Sequence, residues 1–274
     1  MWSQRQQALY WVDILGHQLH RYHPESRART SWHFDQEISA VAERSEGDQL
    51  LVTLRRDLAL FDPHTEALKR LHRPEPELPG NRFNDGKCDA MGRFWAGTMD
   101  FDCQQATGAL YLFDANHQCS KIFSGFAVTN GPTWSPDGQT LYFNDTVNGN
   151  VHAFLIDGAT GALSERRLWL HLPEEDGCPD GMTTDAQGRI WIAHWGGGCV
   201  TCHDPVTAQE LLRIHLPTSH ITNCAFGGKD LKTLFITSAR TGLSAQQLDE
   251  QPEAGSLFCV ELDSAGRAAT PFAG

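Results

Sequence analysis

Apolar residues in this chain fall in short alternating runs bounded by turn residues, and the runs come in pairs. The first member of each pair is Leu9–Val12, Leu50–Thr53, Phe94–Gly97, Leu141–Asn144, Ile190–Ala193 or Leu234–Thr237. The second is Gln18–Pro24, Asp57–Pro63, Ala109–Ala115, Val151–Gly158, Cys199–Pro205 or Ser256–Asp263. A period of two is that of a strand with one buried face. Most second members end in Asp or His followed by Pro, Gly or a small residue, which cap a turn, preset φ or tolerate positive φ. Successive pairs start about 41 to 49 residues apart, the period of a four-stranded propeller blade. Six pairs predict six blades. The one helical signal, Ser244–Glu250, is stopped by Pro252 and Gly255. No linker or low-complexity segment divides the chain, so the expected architecture is all-β, a single six-bladed β-propeller over residues 1–274 with four-stranded blades.

The innermost strand of each blade lies about ten residues before the apolar run, across turns such as Ser135-Pro-Asp-Gly138 and Asp185-Ala-Gln-Gly188. These strands start near Ser39, Asn84, Asn130, Asp180 and Asn223 at one end of the central channel. Counting back from Leu9 lands before Met1, so the first blade is expected to be incomplete, keeping only Trp2 of its innermost strand. The polar heads Asn81-Arg-Phe-Asn-Asp-Gly-Lys87, Asn130-Gly131 and Asp180-Gly181 occupy equivalent frames, which points to one shared site at the channel mouth. Amide and carboxylate oxygens converging on an axis suit a divalent cation such as Ca²⁺, Mg²⁺, Mn²⁺ or Zn²⁺. The same dipeptides are also ordinary turn formers, which could do no more than cap the entering strands.

Composition narrows the partners. A formal charge of −12 over 274 residues disfavours phosphate backbones and anionic lipid surfaces. No run approaches the roughly 20 apolar residues of a bilayer span, and no signal-peptide pattern opens the chain, so a cytoplasmic location is expected. The eight cysteines are scattered and read as reduced thiols. Cys199 and Cys202 have no second pair and point to opposite faces of a strand, which argues against zinc. No Gly-x-Ser-x-Gly elbow or phosphate-binding loop is present. Lys87 is expected to pair with a carboxylate, and His194 reads more readily as structural than as a substrate contact.

The segments Asn81–Lys87, Ala96-Gly-Thr-Met99, Asn130-Gly131 with Trp134-Ser135, Pro179-Asp-Gly-Met182, Phe226-Gly-Gly-Lys229 and Gln251-Pro-Glu-Ala-Gly255 resemble those of the regucalcin, senescence marker protein and gluconolactonase family of sugar-lactone lactonases. The resemblance runs from Trp2 to Gly274. It implies a six-bladed propeller holding one divalent cation (Ca, Zn, Mn, Mg or Fe) through a glutamate, an asparagine and an aspartate, the last two matched by Asn130 and Asp180. It also implies that Arg82 and Asn84 contact substrate and that Asp102, one methylene shorter than the family's glutamate, does so too. The family's ligand glutamate precedes the tryptophan matched by Trp2 and is not in this sequence. Truncation of a longer protein is the favoured explanation, with a metal-poor relative as the other.

The implied activity is metal-dependent hydrolysis of an aldonolactone (glucono-, xylono-, arabinono- or galactonolactone) to the aldonic acid, with Asp180 as proton acceptor. Broader esterase activity on the same metal, or a non-catalytic cation-binding propeller, are the alternatives. The expected partner is a small sugar lactone, and the expected state a monomer or weak homo-oligomer.

Overall fold

The computed structural model describes all 274 residues as a ring of six antiparallel sheets. Blade one is β1 (Trp2–Ser3), β2 (Ala8–Asp13), β3 (Gln18–His23) and β4 (Ala28–His33), and blade two is β5 (Ile38–Glu43), β6 (Leu50–Leu54), β7 (Leu58–Phe61) and β8 (Leu68–His72). Blade three is β9 (Asn81–Cys88), β10 (Phe94–Asp100), β11 (Gly108–Phe113) and β12 (Cys119–Phe126). Blade four is β13 (Thr129–Trp134), β14 (Thr140–Asp145), β15 (Asn150–Ile156) and β16 (Leu163–His171). Blade five is β17 (Cys178–Thr184), β18 (Ile190–Trp195), β19 (Cys199–His203) and β20 (Glu210–His215), and blade six is β21 (Ile221–Gly227), β22 (Thr233–Ser238) and β23 (Leu257–Glu261).

The six predicted repeats are the six blades, with two differences from the expected strand count. Blade one keeps a two-residue innermost strand, Ser3 as well as Trp2, paired with β2. Blade six has three strands rather than four. Between β22 and β23 the predicted helical turn forms as α1 (Ala245–Glu250), closed by a capping box in which the Ser244 hydroxyl and the Gln247 side chain each accept the other's backbone N–H.

Because each sheet is apolar on both faces, the core is a series of layers between neighbouring blades. Trp95, Leu110 and Phe126 of blade three pack on Trp134, Leu141 and Phe143 of blade four, and Tyr10, Leu19 and Trp32 of blade one pack on Ile38, Val52 and Phe61 of blade two. The junction of blades six and one is thinner: Trp2, Leu9 and Phe235, with Trp2 stacked on Phe235 at 5.6 Å between ring centroids.

Two turns linking innermost and second strands share a buried lock. In Asp89-Ala-Met-Gly-Arg-Phe-Trp95 the Asp89 carboxylate accepts from Arg93 Nε at 2.7 Å and Trp95 Nε1 at 2.9 Å. In Asp185-Ala-Gln-Gly-Arg-Ile-Trp191 the Asp185 carboxylate accepts from Arg189 Nε at 2.7 Å and Trp191 Nε1 at 3.0 Å. Each carboxylate also accepts two backbone N–H groups of its own turn. A buried carboxylate is tolerable only when charge-paired and saturated with donors, as both are here.

The C-terminal tail after β23 follows the face carrying these turns, opposite the channel mouth. Gly266 N donates to Leu231 O in blade six, and Ala186 N of blade five donates to Ala265 O. Arg267 reaches the Trp134, Ser135 and Pro136 carbonyls of blade four. Phe272 N donates to Glu43 O, Ser45 N donates to Phe272 O, Ala273 N donates to Gly92 O and Arg44 Nε donates to Gly274 O at 2.6 Å, which joins blades two and three. Phe272 is fully buried against Phe113, centroids 5.5 Å apart. Thirteen aperiodic residues thus tie five of the six blades together, a strap that strand patterning does not reveal.

Candidate functional site

All five full-length innermost strands carry a register shift at their polar head. The shift falls at Asn84–Asp85 in β9, Gly131–Pro132 in β13 and Asp180–Gly181 in β17, with counterparts at Ser39 in β5 and Thr222 in β21. An extra residue in one strand bends it and re-aims a side chain, which is how a regular ladder can place polar groups in the channel mouth. At Gly131 the bulge needs φ +57°, and a Cβ there would sit 2.9 Å from the Asp180 carbonyl oxygen, so only glycine serves.

The predicted Arg82, Asn84, Asn130 and Asp180 do come together. Arg82 Nη1 donates to Asn84 Oδ1 at 2.8 Å and to the Phe83 carbonyl at 2.9 Å. Asn84 Nδ2 donates to Asn130 Oδ1 and to the Thr129 carbonyl, both at 2.8 Å. Asn130 Nδ2 donates to Thr146 Oγ1 at 3.0 Å, and that hydroxyl donates to the Pro179 carbonyl at 2.8 Å, next to Asp180. Asn144, opposite Asn130 across the hairpin, donates through Nδ2 to the Asp180 carbonyl. The chain of donors runs from blade three through blade four to blade five, fixing each amide's orientation and pinning Asn130 Oδ1 toward the site.

Asp85 adds a carboxylate that strand counting assigned no role. Its Oδ2 accepts Gly131 N at 3.0 Å and Asn223 Nδ2 at 3.5 Å, and its Oδ1 accepts Gly86 N at 2.8 Å. Asp180 is enclosed by protein while keeping some surface open to the channel. Enclosure, and then the nearby Asp85 charge, push its carboxyl well above the usual range, against the opposing Gly181 N–H and Arg82 guanidinium. Lys87 does not pair with a carboxylate as expected: its ammonium donates to the Met182 carbonyl, and burial lowers its pKa against the pull of Asp85.

Two sequence candidates stand outside the network. Asp102 sits in the exposed turn after β10, and its carboxylate makes no hydrogen bond or ion pair with the network. His194 is fully buried, with Nδ1 bonded to the Asp176 carbonyl at 2.9 Å and Nε2 to Thr201 Oγ1 at 2.7 Å, a satisfied structural histidine.

No group of three His, Cys, Asp or Glu side chains converges in a manner that could hold a metal, so any cation must rely on amide oxygens as well. The local chemistry fits one. Asp180 and Asp85 crowd two carboxylates together, Asn130 Oδ1 is held in place, and Asn144 Oδ1 is buried with no hydrogen-bond partner. These are hard oxygen donors, with the Arg82 and Lys87 cations alongside. Asn144 and Thr146 were within reach of sequence reasoning, since β-hairpin register sets Asn144 opposite Asn130.

The whole chain has relatives. A Bacillus subtilis (strain 168) protein named "Putative sugar lactone lactonase YvrE" is 35% identical over 274 residues, covering 100% of this chain and 94% of that protein. Regucalcin of Xenopus laevis is 34% identical over 280 residues, covering 100% and 93%. Among solved structures, the calcium-binding protein regucalcin from Agrobacterium tumefaciens str. C58 superposes with a TM-score of 0.94 at 30% identity, over 99% of this chain and 92% of that one. Residues 1–240 match the model of the family described as SMP-30/Gluconolactonase/LRE-like region, and to that family the chain belongs.

Proposed function

We propose that this protein hydrolyses a sugar lactone, an aldonolactone of the glucono-, xylono-, arabinono- or galactono- type, to the aldonic acid at the channel mouth. The observation that carries the reading is the oriented relay Arg82–Asn84–Asn130 beside an enclosed Asp180. The lactonase name of the Bacillus subtilis relative supports it. Asn130 Oδ1 and the Asp180 carboxylate would hold a divalent cation, in keeping with the Agrobacterium relative, a calcium-binding protein. When bound, such an ion is a Lewis acid toward the lactone carbonyl.

The chain's own groups do the rest. Asp180 accepts the proton of the attacking water through the carboxylate oxygen that is not turned to the cation. Arg82 commits one nitrogen, Nη1, to Phe83 and Asn84, which leaves Nη2 and Nε for sugar hydroxyls or the ring oxygen. Asn84 holds that guanidinium and Asn130 in a single geometry, so positioning is settled before substrate arrives. Asp102, at the rim, is within the same reading a contact for substrate rather than part of the network.

A panel of aldonolactones and aryl esters followed by proton release tests the assignment. Lactones are expected to be the better substrates, and Arg82→Ala to lower kcat/KM by about 10- to 100-fold, the worth of one or two charge-assisted hydrogen bonds. Equal rates on both classes, or an undiminished Arg82→Ala, would replace this reading with a non-specific esterase.

A further inference from the structure

The rim holds a second guanidinium that the reading above does not use. Arg55 lies in the turn between β6 and β7, and its Nη1 is 3.1 Å from Oε1 of Glu37, a residue only 7% exposed, just ahead of β5. Its guanidinium carbon is 4.7 Å from the centroid of the Phe101 ring, and that of Arg82 is 5.9 Å from the same ring. The Arg55 carbonyl also accepts Phe83 N at 2.8 Å, next to Arg82. Guanidiniums from two blades thus meet over one half-buried aromatic at the edge of the site.

Phe101 opens the turn that carries Asp102 and Cys103. The far side of that turn is shaped locally, with Gln104 N and Gln105 N donating to Asp100 Oδ2 at 2.8 and 2.9 Å. Its seat on the mouth is a different matter, because the ring is the part in contact with the guanidiniums. Arg55 has a second consequence. Glu37 attracts Arg82 as well as Arg55, and Arg55 repels Arg82. With Arg55 gone, Glu37 is a nearly buried carboxylate that still attracts Arg82, and it competes with Asn84 for that guanidinium.

We propose that Arg55 is a positioning residue for substrate binding, acting through Phe101 and Arg82: it seats the turn at the mouth and occupies Glu37 so that Arg82 stays on Asn84. The inference rests on the lactonase reading for its kinetic consequence and on geometry alone for the seating. Cation–π contact and retention of Arg82 are binding effects, so Arg55→Ala should raise KM about tenfold and leave kcat within about twofold. Arg55→Lys should recover part of the loss because an ammonium can still lie over the ring. Glu37→Gln in the Arg55→Ala background should recover part of it too, since the competing charge is removed.

A second readout does not depend on activity. Cys103 is one of two exposed thiols, the other being Cys259 in β23, so in a Cys259→Ser background the alkylation rate of Cys103 reports the turn. Arg55→Ala should change that rate several-fold with the urea midpoint unmoved. An unchanged Cys103 rate, an unchanged KM, or a fall in kcat matching the rise in KM each overturns the proposal. Failure of the lactonase reading is distinct: it shows as a wild-type chain that hydrolyses no lactone, whatever Cys103 does.

Discussion

Phe272→Ala is the sharpest probe of the strap that joins five blades. The ring is fully buried, stacks on Phe113 at 5.5 Å and lies 6.2 Å from the His117 ring, within the layer formed by Phe83, Phe94 and Leu51. Truncating a buried phenylalanine loses the transfer free energy of the ring and leaves a cavity, together about 3 to 5 kcal/mol. The Phe272 backbone bonds to Glu43 and Ser45 do not involve the side chain, so they persist unless the tail itself lifts. The loss is a large part of the roughly 5 to 15 kcal/mol that stabilises a typical domain. For a chain of this size each kcal/mol moves Tm by about 2 to 4 °C, so a drop of roughly 10 °C is expected by calorimetry. A shift of under about 2 °C would mean that the tail lies on the ring without stabilising it.

Other consequences are equally direct. Asp185→Ala removes the shared acceptor of Arg189, Trp191 and two backbone N–H groups, and should cost about 3 to 5 kcal/mol in urea denaturation; a loss below about 1 would discount the lock. His20, His152, His194, His203 and His220 all have pKa values depressed, foremost by burial. Their unfolded pKa is about 6.5, so above it neither state binds the proton; below it the unfolded chain takes up protons that the folded chain refuses. Stability should therefore fall as pH drops from about 6.5 through the folded-state values, and the double change His194→Gln, His203→Gln should flatten that slope; a urea midpoint constant between pH 7.5 and 5.5 would contradict the assignment.

The propeller was readable because each blade repeats the same two signals, period-two apolar runs and Asp-, Pro- or Gly-marked turns. The polar heads were readable because Asn84, Asn130 and Asp180 recur in one frame, and the structure shows why: each sits in or beside a bulge at the same level of its strand. What escaped depends on contacts between residues far apart in the chain. The strap has no periodicity, and nothing local marks Phe272 as a core residue. Lys87 alternates with Asp85 along β9, which suggests an ion pair, yet the ammonium reaches across the channel to Met182 on β17. Arg55, Glu37 and Phe101 sit on three separate turns or strand ends, and only the closed ring brings them together. Blade six ends at three strands because the residues after Glu261 go to the strap instead of pairing with β23.

Asp180 and Asn130 are proposed to serve a cation-dependent lactone hydrolysis. The most direct test is proton release from gluconolactone, with a divalent cation titrated into metal-stripped wild-type chain and, in parallel, into Asp180→Ala. Hydrolysis should rise with cation and saturate in the wild type, with a rate at least about 100-fold lower in the variant at every concentration. Hydrolysis undiminished in Asp180→Ala, or no response to any divalent cation by folded wild-type chain, would contradict it.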